Sequence, residues 1–470
     1  MSRVEYDYDI VIVGSGVAGL SAAVSATEKA NSEGRSIRIL IVERANSKER
    51  GGLSRWSTAY MRMKDKSTPA DNFENDFRDF SGGHYQRKVV ETLSREAGVT
   101  IAWLERKGLE FGHYQTFFPV KSNPRIVPKG QGQAVVDKLF NNAIASGVEI
   151  AYESTMWRIS LGDDGSVNGA YVRGRDGKSA LVSCRTLILA SGGFEGNKEM
   201  LTRYFGSEAY QMKASCPGVK FNFGEPIEAA LAIGAGTYGQ WDNAHFEPVD
   251  LRDNGPEPVV MVYNYGILVD QNGKRFIDEG SNTVEETFEN VARSIWKLPN
   301  HVAFLISDQK IFDIPNYKSS VLTSFPPFSS SSLDALAKDL NIDPEGLKKT
   351  VANYNSAISG SSAKFDPYKK DGLNTKGLSP EKSNWSVAID KPPFVGFPLI
   401  TGLEFTYGGL LADEKARVVS YDGYAIPGLY AAGEITGMYF RKYVGGTSFL
   451  RGAVFGKIAG EEALDYIKSP

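Results

Sequence analysis

An apolar strand that runs straight into a glycine turn constrains this chain more than anything else in it. Residues 9–19 read Asp-Ile-Val-Ile-Val-Gly-Ser-Gly-Val-Ala-Gly, which puts Gly14, Gly16 and Gly19 in the order Gly-x-Gly-x-x-Gly. The first glycine permits the tight turn and the second lets the backbone approach a pyrophosphate. The third lets helix and strand pack closely, with the phosphates resting on the helix N-terminus. The residues predict a strand over 7–13, an Ala- and Ser-rich helix over 16–30 and a strand over 37–43. Near-continuous apolar strands of this kind belong to a parallel sheet covered on both faces. Glu43 closes the second strand, where a carboxylate can accept hydrogen bonds from ribose hydroxyls and would repel a 2′-phosphate. Close to the other end, Pro427-Gly-Leu-Tyr-Ala-Ala-Gly433-Glu434 repeats the pattern of apolar strand and glycine turn. One nucleotide site assembled from both ends makes everything between them an insertion into a single cofactor domain.

Further glycine loops identify the nucleotide. Arg50-Gly51-Gly52-Leu53-Ser54 follows Glu43 too closely to begin a new fold unit, and Thr186-Leu-Ile-Leu-Ala-Ser191-Gly192-Gly193 is another strand ending in small residues. Gly433-Glu434 and Gly445-Gly446-Thr447-Ser448-Phe449 add two more. An isoalloxazine–ribityl–pyrophosphate ligand touches a fold at several distant turns, whereas a nicotinamide dinucleotide does not need all of these. The cofactor expected is FAD.

Length and pattern set the organisation. A chain of 470 residues is too long for one simple core. A helix over 132–146 leads to a strand over 148–152, and residues 155–182 alternate strand with Gly-Asp turns, a β-meander. Residues 186–190 return to the parallel sheet. From about 246 to 390 Pro, Asn, Ser and aromatic residues increase, with a hairpin expected at 260–276, helices at 284–296 and 344–358, and exposed loops at 329–332 and 364–383. The fold class is therefore α/β. A Rossmann-like FAD-binding domain, a parallel sheet with a β-meander, occupies 1–245 and 391–470 and is interrupted by an α+β capping domain at 246–390.

Composition excludes several functions. A formal net charge of -3 gives no footing for nucleic acid. No apolar run approaches the roughly 18–20 residues that span a bilayer, and the polar first residues carry no signal-peptide pattern. Cys184 and Cys216 fit neither metal-ligand spacing nor a disulfide framework. A cytoplasmic location is the expectation.

Segments 9–19, 51–58, 186–197 and 427–460 resemble the fumarate reductase/succinate dehydrogenase flavoprotein family, above all Gly445-Gly-Thr-Ser-Phe-Leu-Arg-Gly-Ala-Val-Phe-Gly-Lys-Ile-Ala-Gly460. The resemblance implies hydride exchange between flavin N5 and a carbon next to an activating carbonyl or carboxylate. In membrane-complex members a histidine near the Gly51–Ser54 loop carries covalent flavin. Here the sequence is Ser54-Arg55-Trp56-Ser57, so the FAD is expected to be non-covalent.

Asn272-Gly-Lys-Arg275-Phe276-Ile-Asp-Glu279 is similar to the family's capping-domain turn, yet the ionisable positions of a fumarate reductase are replaced. Thr283 stands for the proton-donating arginine, and the relay positions fall near Val259 and Val262. Phe405 stands for the substrate histidine and Tyr443 for a late arginine. Fumarate is therefore a poor substrate candidate. Gly52-x-Ser54-Arg55, Arg275-Phe276-x-Asp278-Glu279-Gly280 and Tyr443-x-Gly445-Gly446-Thr447 resemble the tricarballylate dehydrogenase branch. The Tyr-x-Gly placement is also similar to 3-ketosteroid dehydrogenases, where a tyrosine hydroxyl and a glycine N–H polarise the substrate carbonyl. The catalytic candidates are Tyr443 with the N–H of Gly446, His245 for proton transfer or substrate hydrogen bonding, and Arg55 as a carboxylate clamp. Arg441 and Lys442 could also hold an anion, while His84, His113 and His301 read as loop residues. The expected reaction is dehydrogenation of a CH–CH bond next to a carbonyl or carboxylate. An ene-reductase running in reverse and a double-bond isomerase remain open. With no haem or iron–sulfur motif in the sequence, reoxidation calls on oxygen, a quinone or a redox protein.

Overall fold

The computed structural model describes residues 6–113, 124–361 and 364–468. These fall into two compact units. One takes in 6–113, Pro124–His245 and 404–468, the other Phe246–Leu403 apart from 362 and 363. The chain thus re-enters the first unit at Glu404, later than the 391 expected from composition.

In the first unit, β1 (Tyr8–Val13), α1 (Val17–Ser32) and β2 (Ile39–Val42) form the βαβ unit, with Ile10 opposite Ile39 and Val13 opposite Val42 in a parallel pair. The short α2 (Gly52–Trp56) follows, then α3 (Arg87–Arg106), α4 (Gln131–Ala145) and β3 (Glu149–Ala151). β4 (Thr155–Leu161), β5 (Val167–Arg173) and β6 (Ser179–Leu189) make the meander. β6 corrects the expectation of two separate strands. Its first half pairs antiparallel with β5 (Ser183 opposite Gly169), and its second half pairs parallel with β1 (Thr186 opposite Ile10). The outer half, Ser179–Ser183, is exposed to half-buried despite Ala180, Leu181 and Val182; the inner half, Leu187–Leu189, is fully buried.

The second unit is built on β7 (Ala244–Asp250), β8 (Ile267–Val269), α5 (Val284–Trp296), β9 (Val302–Asp308), β10 (Phe328–Ser330), α6 (Leu333–Leu340), α7 (Pro344–Ala357) and β11 (Phe394–Thr406). Its sheet has the order β7-β11-β9-β8, with β10 alongside β11. Leu336, Leu340, Leu347 and Val351 of α6 and α7 share a core with Ile267, Val269, Phe304 and Ile306 of the sheet. Three expectations are corrected here. The hairpin at 260–276 is a tight turn closed by one Val269–Arg275 bridge, and β8 pairs with β9 instead. Residues 329–332 divide between β10 and the cap of α6, where Ser332 Oγ accepts the Ala335 N–H at 3.2 Å. The 364–383 segment is irregular but not simply exposed, since Leu373, Thr375 and Lys382 are buried.

The first unit is completed by β12 (Arg417–Val419), β13 (Ala425–Ala431) and α8 (Ser448–Lys468). Sheet order is β12-β13-β6-β1-β2-β3, and β13 lies parallel to β6 with Tyr430 opposite Ile188. α8 lies against α1 along Gly452, Gly456 and Gly460. Spaced by four, these share one helix face. A Cβ on Gly456 would sit 2.2 Å from the Ala18 carbonyl oxygen, and one on Gly460 2.2 Å from that of Ala22. Glycine here admits backbone-to-backbone approach that any side chain would block. Among the described residues no helix is long and apolar enough to cross a membrane.

Candidate cofactor cleft and catalytic residues

A cleft in the first unit encloses about 1090 Å³ of empty space, its solvent-open part included. Every cofactor residue expected from the sequence except Gly19 lines it: Gly14, Gly16, Glu43, Gly51, Gly52, Ser54, Ser191, Gly192, Gly433, Glu434, Ser448 and Phe449. Gly19 stands back because its place is the helix–strand contact; a Cβ there would lie 2.0 Å from the Gly14 carbonyl oxygen. Gly16 caps α1 in extended conformation without a side-chain cap, and the Val17 N–H donates to Ser54 Oγ at 3.1 Å. The open first turn and the helix dipole favour an anion at this end. Glu43 Oε2 accepts the Ser15 N–H at 2.9 Å and the Ser15 hydroxyl at 2.5 Å, while Oε1 accepts the Ala45 N–H at 2.7 Å.

The cleft also fits an extended dinucleotide on grounds the motifs do not supply. Among the described residues Ser191 Oγ is buried without a hydrogen-bond partner, the kind of orphan a bound polar ligand satisfies. Gly52 holds a positive φ of 54°, and a Cβ added there meets nothing within 4 Å. Gly433 and Gly452 abut the first turn of α1, where their added Cβ atoms would come 3.0 Å from Ala18 Cβ and 2.8 Å from Val17 Cγ1.

Sequence reasoning named Glu434 but missed the ionisable cluster around it. Glu195 Oε1 and Glu434 Oε1 both accept the Thr406 N–H, at 2.8 and 2.9 Å, and Glu195 Oε2 accepts from Asn222 Nδ2 at 2.9 Å. Burial, and then the neighbouring Glu195, push the Glu434 carboxyl well above the usual carboxylate range. Arg451 of α8 lines the same cleft at 1% exposure. Its Nη1 donates to the Thr436 carbonyl at 3.0 Å, while Nε and Nη2 have no partner among the described residues. Single-sequence pattern offered no signal, because a Glu after Gly-Gly-Phe and an Arg in a glycine-rich helix both read as surface charge.

The catalytic candidates separate. His245, Phe405 and Tyr443 come together: the His245 ring centroid lies 4.6 Å from that of Tyr443 and 4.9 Å from that of Phe405, and Phe405 lines the cleft. Tyr439 and Tyr407 extend this aromatic wall. Tyr443 Oη accepts the N–H groups of Gly446, Thr447 and Ser448 at 3.1, 3.1 and 3.0 Å and shares a 2.9 Å hydrogen bond with Ser448 Oγ. The Gly446 N–H, expected to face substrate, therefore supports the phenol. Arg55, expected to clamp a carboxylate, donates to Asp137 Oδ1 at 2.8 Å beside Arg50 at 3.0 Å. Arg441 and Lys442 are exposed. Arg62, unanticipated, is buried at 1% exposure, pairs with Asp76 and reaches the Gly445 carbonyl at 3.3 Å. In the second unit Val259 and Val262 are fully buried, and Thr283 Oγ1 is buried with no partner among the described residues.

The FAD binding domain family matches residues 9–450. A fumarate reductase (cytochrome) of Shewanella frigidimarina is 27% identical, over 98% of this chain and 77% of that protein. A 4-oxocyclohexanecarboxylate 2-dehydrogenase of Sinomonas cyclohexanicum is 27% identical over 65% of this chain and 56% of that one. The open conformation of a flavocytochrome c3 fumarate reductase superposes with a TM-score of 0.80 at 23% identity, covering 100% of this chain and 80% of that chain. The chain belongs to the FAD-binding family that contains the fumarate reductase flavoproteins, and it is an FAD-dependent oxidoreductase.

Proposed function

We propose that this oxidoreductase dehydrogenates a CH–CH bond next to a carbonyl or carboxylate, in a substrate larger and less charged than fumarate. The observation that carries the reading is Tyr443, whose phenol oxygen is held by three backbone N–H groups at the start of α8. Hydrogen bonds accepted by a hydroxyl oxygen polarise its O–H and make it a better donor. When a substrate carbonyl takes the place of Ser448 Oγ as its acceptor, Tyr443 presents a strengthened O–H to it, where negative charge develops as the α-proton leaves. His245, against the Tyr443 ring, takes that proton. Bound FAD supplies the hydride acceptor for the β-carbon. Phe405 and Tyr443, where a dicarboxylate reductase carries a histidine and an arginine, line the site with rings, which suits a carbonyl-bearing or ring substrate.

The fumarate reductase relative favours a second reading, the same site run as an ene-reductase. Oxygen, a quinone or a redox protein accepts the electrons in the first reading, and buried Cys184 and Cys216, which form no disulfide with each other, suit a cytoplasmic setting. Anaerobic titration of the FAD-loaded protein with ring ketones and carboxylic acids, read at the flavin absorbance, tests both. Bleaching by a saturated carbonyl or carboxylate compound supports the dehydrogenase; bleaching by NADH, NADPH or a low-potential donor alone supports the reductase. Tyr443→Phe keeps the flavin spectrum and lowers the bleaching rate by about 10²-fold or more. A variant with the wild-type rate overturns the role of Tyr443.

A further inference from the structure

We propose that Glu195 and Glu434 form a one-proton carboxyl pair beside the phosphate end of the cleft, and that FAD binds tightly only to the protonated pair. This rests on the cleft being the FAD site, and it assigns to these residues a proton linkage that the glycine motifs do not predict.

Two carboxyl oxygens converge on a single donor, the Thr406 N–H, at 2.8 and 2.9 Å. Carboxylates sharing a site do not both ionise readily. The pair has no room to spread: a Cβ on Gly193 would lie 2.1 Å from Thr406 Oγ1, 2.3 Å from Glu434 Oε1 and 2.6 Å from Glu195 Oε1. Asn222 fixes the far oxygen of Glu195 at 2.9 Å.

The location gives the proton its consequence. Gly433 and Gly452 pack on Ala18 and Val17, so their chain neighbours Glu434 and Arg451 flank the first turn of α1, where phosphates rest. The ionisable groups facing this corner are Glu195 after β6, Glu434 after β13, Arg451 of α8, and Tyr439, whose phenol burial keeps protonated. Arg451 brings one positive charge, with Nε and Nη2 unpartnered among the described residues, and stacks over Tyr439 at 4.8 Å. With one proton shared, the pair and Arg451 sum to zero and Glu434 can donate a hydrogen bond. Without it the corner is negative and faces an anionic diphosphate. Bound FAD therefore raises the affinity of the pair for its proton. Binding takes up a proton from buffer wherever the free pair has lost its own, and affinity falls as pH rises through that range, by up to about tenfold per pH unit.

Calorimetric titration of FAD into the apoprotein, in buffers of different ionisation enthalpy between about pH 6 and pH 9, reads the linkage directly. The expected result is proton uptake growing toward one per FAD, with Kd rising in step. In Glu195→Gln the second carboxylate is gone and burial alone holds the Glu434 carboxyl up, so with Arg451 the corner no longer turns negative, and both effects weaken and move to lower pH. Wild-type binding whose heat is independent of buffer and whose Kd is flat with pH overturns the proposal, and needs no variant to do so. Failure of the apoprotein to bind FAD at any pH overturns the cleft assignment itself, a separate outcome.

Discussion

Substituting Gly456 with alanine tests whether the approach of α1 and α8 is set by the missing side chain. The added Cβ would stand 2.2 Å from the Ala18 carbonyl oxygen and 2.9 Å from its Cα, whereas ordinary van der Waals contact begins at 3.4 Å. The obstructing atoms are backbone, so no rotamer change relieves the clash and the helices must move apart by roughly an ångström. Alanine gains about 1 kcal/mol of helix propensity over glycine. Overpacking a dense interface costs about 1–3 kcal/mol, and parting the helices also loosens the contacts of Gly452 and Gly460 along the same face. The net expectation is a loss of ~1–2 kcal/mol. It should read in urea titration of the apoprotein followed by tryptophan fluorescence. Because Ala18 belongs to the first turn of α1, where the phosphates are proposed to rest, Gly456→Ala should also weaken FAD binding in a fluorescence-quenching titration. A variant as stable as the wild type, or more so, with unchanged FAD affinity refutes the reasoning.

Two further outcomes follow from the structure. Lys382 is fully buried, its Nζ donates to the Gly266 carbonyl at 2.6 Å, and burial lowers its pKa to about 8. The unfolded chain therefore holds more protons than the folded one between about pH 8 and 10, so stability relative to Lys382→Met rises with pH across that window, by an amount of order 3 kcal/mol in urea titrations; a difference that falls or stays level refutes the burial argument. Arg55→Ala removes a partly screened ion pair with Asp137, so stability falls by less than about 1 kcal/mol and the KM for the identified substrate holds; a tenfold rise in KM returns Arg55 to the substrate site.

The parts of the site legible in the sequence were those fixed by backbone geometry. Gly14, Gly16 and Gly19 are readable because each answers a separate steric demand, and Glu43 because its position after an apolar strand is functional by geometry alone. The ionisable wall was illegible: the meaning of Glu195, Glu434 and Arg451 arises from three segments meeting around the Thr406 N–H, and no local period records that. Tyr443 was legible as a residue but not in its hydrogen bonding, because the turn at Gly445–Gly446 folds three N–H groups back onto its own hydroxyl. Among the elements, α3 escaped notice although it is the second-longest helix described here, at 20 residues. Its Val, Thr and Gly98 weaken helix propensity, and Gly98 is there because a Cβ would sit 2.3 Å from the Ser67 carbonyl oxygen. β6 was split in two because its pattern changes from half-exposed to buried midway.

The neighbour of β6 in the parallel sheet has a consequence for synthesis. Leu187–Leu189 pair on one edge with β1 and on the other with Leu429–Ala431 of β13. As the chain leaves the ribosome, the first edge is satisfied at once, but the second waits until the whole of 246–403 has been made. Throughout that interval an apolar strand edge stands open to pairing with other chains, the hazard of any exposed β edge. Only when 404–468 has been made does β13 cover that edge.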